Sequence, residues 1–275
     1  MQTPIETISL FQPLDDKLLE LLRSLSAEEW ERPTVAKRWT VKDIAAHLLD
    51  GNIRTLSMSR DGYFGISSGN INSYEQLVNY LNGLNADWVH ALKRMSPAVL
   101  IDLLEHTRKQ YVAQLSSLET FGKAIFSVGW AGEDESFNWF HIAREYTEKW
   151  HHQQQIREAV NKPGIITQEL YHPFLETFMR ALPYTYRDVH AENGVVVKIT
   201  ITGEGGGDWY LLKKEKWELV SEINTVPVAH TTIDGNVAWK LFSKSWRKDD
   251  ALPFVKIEGD QGLGGVVLGM VAVMA

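Results

Sequence analysis

The sequence has no cysteine among its 275 residues. A disulfide framework and a metal site with thiolate ligands are therefore excluded, and a bound metal ion would need His, Asp or Glu ligands. The chain also has no thiol nucleophile of its own.

Positive charge is the second feature in short supply, because the sequence has 28 Lys and Arg residues and 35 Asp and Glu residues. The resulting formal net charge is -7. Binding to nucleic acid depends on clustered cations that neutralise phosphates, so this balance argues against a nucleic-acid partner.

A basic leader and a long apolar run are missing as well. The N-terminal stretch MQTPIETISLFQPLDD is amphipathic and acidic, whereas a signal peptide has a basic region followed by an uninterrupted apolar one. The terminal run LGGVVLGMVAVMA is shorter than the roughly 20 residues that cross a bilayer. We therefore expect a cytoplasmic protein, monomeric or homodimeric, with no membrane partner.

Apolar residues recur at three- and four-residue spacing through the N-terminal part, which predicts a bundle of four or five helices. Thr40 and Asp43 are placed to form a capping box at the start of one helix, and the segment 57–72, rich in Gly, Ser and Asn, indicates a long loop. The predicted helices cover about 5–25, 40–53, 73–95, 96–118 and 137–160.

The periodicity changes from Val195 onward, where short β-branched or alternating runs predict strands. These runs are VVVKITITG, DWYLLK, KWELVSE, HTTIDG and FVKIEGD. Helical segments at about 167–182, 236–244 and 262–274 flank them, which indicates an α+β domain with helices on one face of an antiparallel sheet. We predict two domains, 1–162 and 163–275.

A polar stripe lies on the last predicted helix of the bundle, in FHIAREYTEKWHHQQQIREAV. His141, Glu145, Glu148 and His152 fall within about 60° of one another on a helical wheel. Glu148 and His152 are four residues apart, a spacing at which one ion can bind both. His47, at the margin of the apolar stripe of the second helix, is the candidate third ligand, and three ligands leave positions open for water or substrate.

Structural alternatives accompany each of these residues. The stripe could be a solvated face or a helical ion pair. His151 is predicted to face solvent or pack against a neighbour. His141 is about 10 Å along the axis from Glu148, so that it has either a structural role or a substrate contact, and Glu145 either supports the site or is exposed.

The run EEWERPTVAKRWTVKDIAAHLLDGN and the later run AREYTEKWHHQQQIREAV resemble the two metal-binding motifs of the DinB-like superfamily, in its mycothiol-dependent maleylpyruvate isomerase branch. The resemblance places His47, Glu148 and His152 on the three metal-ligand positions. It also implies a C-terminal domain related to sterol-carrier-protein-2 folds, carried by ITITGEGGGDWYL, TTIDGNVAWKLFSKSW and VKIEGDQGL. Two pairs depart from the family pattern, Gln155-Ile156 and Trp246-Arg247.

The resemblance implies a divalent ion, zinc in the first place or else nickel, and a low-molecular-weight thiol such as mycothiol, bacillithiol or glutathione. The thiolate would add to a small electrophile, either to isomerise a cis alkene or to transfer sulfur. His141 and Glu145 are the candidate cofactor-binding residues. Arg247 is the candidate catalytic residue, because its guanidinium could pair with a substrate carboxylate, although it could also be a surface residue beside Lys248.

Two other functions compete with this interpretation. In a metal-dependent hydrolase, water would attack in place of the thiolate. In a non-catalytic carrier of lipids or small molecules, the C-terminal sheet would hold an apolar ligand. Four tryptophans permit the carrier, although buried aromatics are usually core; they are Trp209, Trp217, Trp239 and Trp246.

Overall fold

The structure is a computed structural model that describes residues 4–65 and 69–273. The chain divides into two compact units. The bundle unit consists of Thr7–Ile125 and Glu148–Ile165, and the sheet unit consists, in its described part, of residues 4–6, 126–147 and 166–273. The predicted domain boundary between residues 162 and 163 differs from this division, because it assigned residues 126–147 to the helical bundle. The two domains with that boundary stay a prediction.

The bundle unit has the helical architecture expected from the apolar spacing. The unit contains α1, α3, α4, α5 and the part of α6 that follows Thr147, together with α2, which is a single turn. The bounds are α1 Phe11–Arg23, α2 Ala27–Trp30, α3 Val41–Thr55, α4 Tyr74–Leu92, α5 Pro97–Ser116 and α6 Asn138–Val160. A 3-10 turn, Ile8–Leu10, replaces the predicted helical start near residue 5.

Side-chain caps set where these helices begin. The Thr40 hydroxyl accepts a hydrogen bond from the Asp43 N–H, and the Asp43 carboxylate accepts one from the Thr40 N–H, so the predicted capping box is present. At the start of α4 the Ser73 hydroxyl accepts a hydrogen bond from the Gln76 N–H, and at the start of α5 the Ser96 hydroxyl accepts one from the Val99 N–H. The predicted loop at 57–72 instead opens with a π-helical turn, Leu56–Arg60, and its residues 66–68 lie outside the described chain.

The core of the bundle unit holds α3 in place. Apolar side chains of α1, α3, α5 and the end of α6 bury one another, and each contributes roughly 1.5–3 kcal/mol relative to exposure. They include Leu18, Leu22, Ile44, Leu48, Leu49, Leu100, Leu104, Ile156 and Val160. On the α4 side, the Trp88 indole N–H donates to the Ala46 carbonyl over 2.8 Å.

The sheet unit contains five strands in the order β3-β2-β1-β4-β5. They are β1 Val196–Ile201, β2 Gly207–Lys213, β3 Trp217–Val220, β4 Ala229–Ile233 and β5 Val255–Gly259. The prediction of an antiparallel sheet is wrong for one pairing, because β4 lies parallel to β1. Strands β1, β2 and β3 form an antiparallel meander. The chain then crosses to the other side of β1, where β4 pairs with β1 in the parallel direction.

Alternation along the strands gives the sheet an apolar face and a polar one. Ile199, Leu211 and Ile233 are buried, whereas Lys198 pairs with Asp208 over 2.9 Å and Lys256 with Glu258 over 3.0 Å. The helices of this unit are α7 Gln168–Met179, α8 Leu182–Thr185, α9 Gly235–Phe242, α10 Lys248–Ala251 and α11 Gln261–Val266.

The last helix is shorter than the predicted one at 262–274. Helix α11 ends at Val266 and a 3-10 turn follows at Val267–Gly269, after which Met270 is extended. Glycine at 262, 264, 265 and 269 explains the difference, since glycine disfavours helix continuation. Residue 274 lies outside the described chain.

Three of the four tryptophans considered for a carrier are core residues of the sheet unit. Trp209, Trp217 and Trp239 are all buried. The Trp209 indole N–H donates to Glu176 over 2.7 Å, and that of Trp217 donates to the Val189 carbonyl over 2.9 Å.

Within the described residues, no helix is both long and apolar enough to span a membrane.

Candidate metal centre

Helix α3 fixes the position of His47. Its first turn is anchored by the capping box and by Asp43, whose Oδ1 lies 2.6 Å from Lys93 Nζ. The apolar neighbours Ile44 and Leu48 are buried in the core. His47 is therefore held on the flank of α3, half-buried, by a helix that cannot rotate without exposing that core.

Helix α6 supplies the other two side chains one turn apart. Glu148 Oε2 lies 3.5 Å from His152 Nε2. His152 is buried, whereas the Glu148 side chain is 38% exposed. The carboxylate thus borders solvent on one side and an imidazole on the other.

The three predicted ligands converge in the structure. One donor atom each from His47, Glu148 and His152 lies within 4.8 Å of the other two. The two imidazole rings meet edge to face, with centroids 4.7 Å apart. Donor atoms on a tetrahedral zinc ion lie roughly 3.3 Å apart for bonds of about 2.0 Å, so small side-chain rotations would complete the set.

The chemistry of these donors fits a divalent ion. Burial, followed by the nearby His152, lowers the pKa of His47 well below its usual range, so that this imidazole is neutral and able to coordinate at neutral pH. Its Nδ1 is buried without a hydrogen-bond partner among the described residues. Two neutral imidazoles and one carboxylate form the donor set of many catalytic zinc sites, which keep one position open.

Two further side chains of the bundle unit support this group. Trp39 packs against both imidazoles, with ring centroids 4.8 Å from His47 and 6.2 Å from His152. Gln155 Oε1 lies 2.9 Å from His152 Nδ1, and Gln155 Nε2 lies 2.9 Å from His151 Nε2. His151 was predicted either to face solvent or to pack against a neighbour. It is buried and contacts Gln155, so it packs against a neighbour.

Along α3, Asp50 and Arg54 follow His47 by three and seven residues and therefore share its face. Burial raises the pKa of the Asp50 carboxyl. Arg54 Nη1 lies 3.9 Å from Asp50 Oδ2, and its charge contributes to the low pKa of His47.

The two candidate cofactor-binding residues belong to a separate network in the sheet unit. Arg144 Nη2 lies 2.7 Å from His141 Nδ1 and donates to Glu145 Oε1 over 2.9 Å. Burial lowers the pKa of His141 to about 4, so the ring accepts from Arg144 as a neutral imidazole. Neither residue is part of the converging donor group.

Arg247, the candidate catalytic residue, directly precedes α10 in the sheet unit. Its side chain is 80% exposed, and its Nε lies 3.5 Å from Asp250 Oδ2. Its backbone N–H donates to the same carboxylate over 3.1 Å. The guanidinium is therefore accessible and only loosely paired.

A family model described as the mycothiol maleylpyruvate isomerase N-terminal domain matches residues 11–157. The chain belongs to the mycothiol maleylpyruvate isomerase family. This match runs from the first residue of α1 into α6 and includes all three converging residues, and it confirms the family predicted from the sequence.

A solved structure of this family shares the fold. A crystal structure of a histidine-to-alanine mutant of the mycothiol-dependent maleylpyruvate isomerase is similar with a TM-score of 0.51 and 11% identity, over 89% of this chain and 90% of that chain. A second crystal structure of the mycothiol-dependent maleylpyruvate isomerase has a TM-score of 0.49 at the same identity and coverage. No curated protein matches the chain in sequence.

The sequence pointed to the donor residues of this family member but not to their supports. Trp39 directly precedes the capping residue of α3, and Gln155 follows His151 by four residues and His152 by three. The second spacing is a usable signal, because side chains three and four residues apart on a helix are neighbours. The packing of Trp39 against two histidines has no comparable sequence signature.

Proposed function

We propose that the chain is a metal-dependent enzyme that uses a low-molecular-weight thiol to isomerise, or to transfer sulfur to, a small electrophile. The convergence of His47, Glu148 and His152 carries this proposal. Membership of a family named for mycothiol supports the thiol. The absence of cysteine agrees with it, because the sulfur must then come from a cosubstrate.

His47, Glu148 and His152 would hold the ion, with zinc or nickel as the expected metals. When bound, such an ion supplies a Lewis acid that lowers the pKa of a thiol and so raises its thiolate fraction at neutral pH. The two neutral imidazoles leave the net charge of the site positive with a divalent ion present, and Glu148 compensates one unit of it. Trp39 packs against both imidazole rings.

The proposed chemistry needs no group from the chain to form a covalent bond. In an isomerisation, the thiolate forms a carbon–sulfur bond to a conjugated cis alkene, the former double bond rotates as a single bond, and elimination restores the double bond and the thiolate. In a transfer, the carbon–sulfur bond persists, and either a leaving group departs with its electron pair or the adjacent carbon of the former alkene takes up a proton. The product therefore distinguishes the two reactions, whereas the activation of sulfur is common to both.

Three residues outside the donor group are proposed to contact the small molecules. Arg247 would pair with a substrate carboxylate, because its accessible guanidinium matches that group bidentately. His141 and Glu145 would contact the thiol cosubstrate. Replacing Arg247 with Lys is expected to raise KM for a carboxylate substrate with little change in kcat, since a lysine keeps the charge and loses the paired geometry.

The test combines elemental analysis with a thiol-dependence assay. We expect about one equivalent of zinc or nickel per chain in purified protein, and turnover of a panel of electrophiles that includes maleylpyruvate only when mycothiol, bacillithiol or glutathione is added. Turnover of an ester or amide without thiol would instead support the hydrolase. Protein that holds no metal and turns over nothing with any thiol would reject the enzyme proposal in favour of a carrier.

A further inference from the structure

Gln155 bridges two histidines inside the bundle unit. Its Oε1 lies 2.9 Å from Nδ1 of His152, and its Nε2 lies 2.9 Å from Nε2 of His151. Gln155 is 2% exposed, and both histidines are buried as well. Because two donors or two acceptors that lie 2.9 Å apart repel each other, each end of the amide meets a ring nitrogen of the opposite hydrogen-bonding kind.

The amide therefore dictates where both rings carry their protons. A carboxamide oxygen only accepts and a carboxamide nitrogen only donates. With Oε1 toward His152, that ring must carry its proton on Nδ1, which leaves a lone pair on Nε2, 3.5 Å from Glu148 Oε2. The amide nitrogen then donates to Nε2 of His151, whose proton must also be on Nδ1.

Turning the amide by 180° reverses both hydrogen bonds. His152 would then accept at Nδ1 and carry its proton on Nε2, where it would donate to the Glu148 carboxylate and could not bind an ion. His151 would donate from Nε2 to the amide oxygen. In either orientation the two rings carry their protons on the same type of nitrogen, so the amide transmits the state of one ring to the other.

We propose that Gln155 is a positioning residue that couples the tautomers of His151 and His152 and, with Oε1 toward His152, leaves Nε2 of His152 free for a metal ion. The part that concerns the ion rests on the proposed function, whereas the coupling of the two rings is a property of the chain alone. Coordination at Nε2 of His152 selects one amide orientation and thereby fixes the His151 proton on Nδ1.

The experiment uses two substitutions with opposite expectations and one control. Gln155→Glu places two accepting oxygens between the rings, so His152 keeps its proton on Nδ1 and His151 moves its proton to Nε2. Gln155→Met keeps the volume and removes both hydrogen bonds. Gln154→Met is the matched control, because Gln154 is a buried glutamine of the same helix whose Oε1 has no hydrogen-bond partner among the described residues.

The readouts are the ring tautomers, from long-range proton–nitrogen correlation spectra of 15N-histidine-labelled protein, and zinc affinity, from competition with a chelator. We expect matched tautomers in the wild-type chain and in Gln154→Met, and unmatched tautomers in Gln155→Glu. In Gln155→Met, zinc affinity should fall roughly 10- to 100-fold, and zinc should no longer determine the tautomer of His151.

Unmatched tautomers in the wild-type chain, or a Gln155→Met variant that binds zinc as tightly as wild type, would overturn the inference while the proposed enzyme stands. Failure of the wild-type chain to take up either zinc or nickel would overturn the proposed function and the part of this inference that concerns the ion. Matched tautomers in that metal-free protein, and their loss in Gln155→Glu, would still support the coupling of the two rings.

Discussion

Lys149 and Asp15 form an ion pair inside the bundle unit, with 3.0 Å between the ammonium nitrogen and Oδ1. Both residues are buried. The ammonium also lies 4.6 Å from the centre of the Tyr111 ring. The pair links α1 to α6 at the residue that follows Glu148, so it anchors the turn that presents that carboxylate.

Replacing Asp15 with Ala should lower the free energy of unfolding by about 3–5 kcal/mol, because it leaves the Lys149 charge buried and unpaired. The double variant Asp15→Leu with Lys149→Met should recover most of that loss, since it removes both charges. Asp16→Ala is the control on the same helix; Asp16 pairs with Arg108 and is half exposed, and such surface pairs contribute about 0–1 kcal/mol. Urea unfolding measures all three, and equal losses for Asp15 and Asp16 would contradict this account.

Replacing His152 with Ala should abolish stoichiometric metal binding, because a carboxylate and one imidazole hold an ion weakly. Elemental analysis after dialysis measures the metal content, and circular dichroism checks that the helices persist. His90→Ala is the matched control, since His90 is an exposed residue of α4. Full metal content in the His152 variant would refute the assignment of this ligand.

Acid should destabilise the metal-free protein through His141. Burial lowers the pKa of this ring from 6.5 to about 4, so between these values the unfolded chain binds a proton that the folded chain does not. Stability therefore falls as the pH drops from about 6.5 to about 4, by roughly 3 kcal/mol for this group. Above pH 6.5 its contribution is constant.

His141→Gln isolates this contribution, because the glutamine keeps an acceptor for Arg144 and does not titrate. We expect the loss of unfolding free energy between pH 6.5 and about pH 4 to be smaller in the variant than in the wild-type chain. Urea unfolding at several pH values measures the difference. Identical pH dependence in both proteins would mean that His141 is already protonated in the folded chain.

Adjacent glycines of α11 should respond oppositely to alanine. A Cβ at Gly264 would lie 2.5 Å from Ile257 Cγ2 and 2.9 Å from Thr231 Oγ1, whereas a Cβ at Gly265 has no neighbour within 4 Å in the described structure. Gly264→Ala should cost about 1–3 kcal/mol through overpacking, and Gly265→Ala should stabilise by roughly 0.5–1 kcal/mol through higher helix propensity. Thermal unfolding of the two variants compares them, and a shift in the same direction would show that α11 is placed differently.

The sequence was sufficient for features that depend on local periodicity. Spacing along single elements predicts three of these features. They are the capping box at Thr40, the positions of the strands along the chain in the sheet unit, and the placement of Glu148 beside His152. The direction of β4 does not follow from spacing, because a strand buried on one face shows the same alternation in parallel and antiparallel pairings. The prediction of an antiparallel sheet therefore fails for the pairing of β1 with β4.

Side-chain relationships between elements were accessible only in part. His47 could be proposed as a partner of α6 from its position beside the apolar stripe of α3. The spacing of Gln155 from His151 and His152 indicates that the three side chains are neighbours. The hydrogen bonds of Gln155 depend on side-chain rotamers and the Trp39 contact depends on loop geometry, and no spacing rule specifies either. The assignment of residues 126–147 to the sheet unit likewise depends on packing that the local pattern does not encode.

A hundred or more residues of chain separate His47 on α3 from Glu148 and His152 on α6. An ion that joins them would favour the native state by mass action, since it finds no such grouping in the unfolded chain, and a ligand at about 100 times its Kd contributes about 2.7 kcal/mol. The abundance of this protein in a living cell would then follow the supply of the ion, because chains made under metal scarcity would unfold and be degraded sooner.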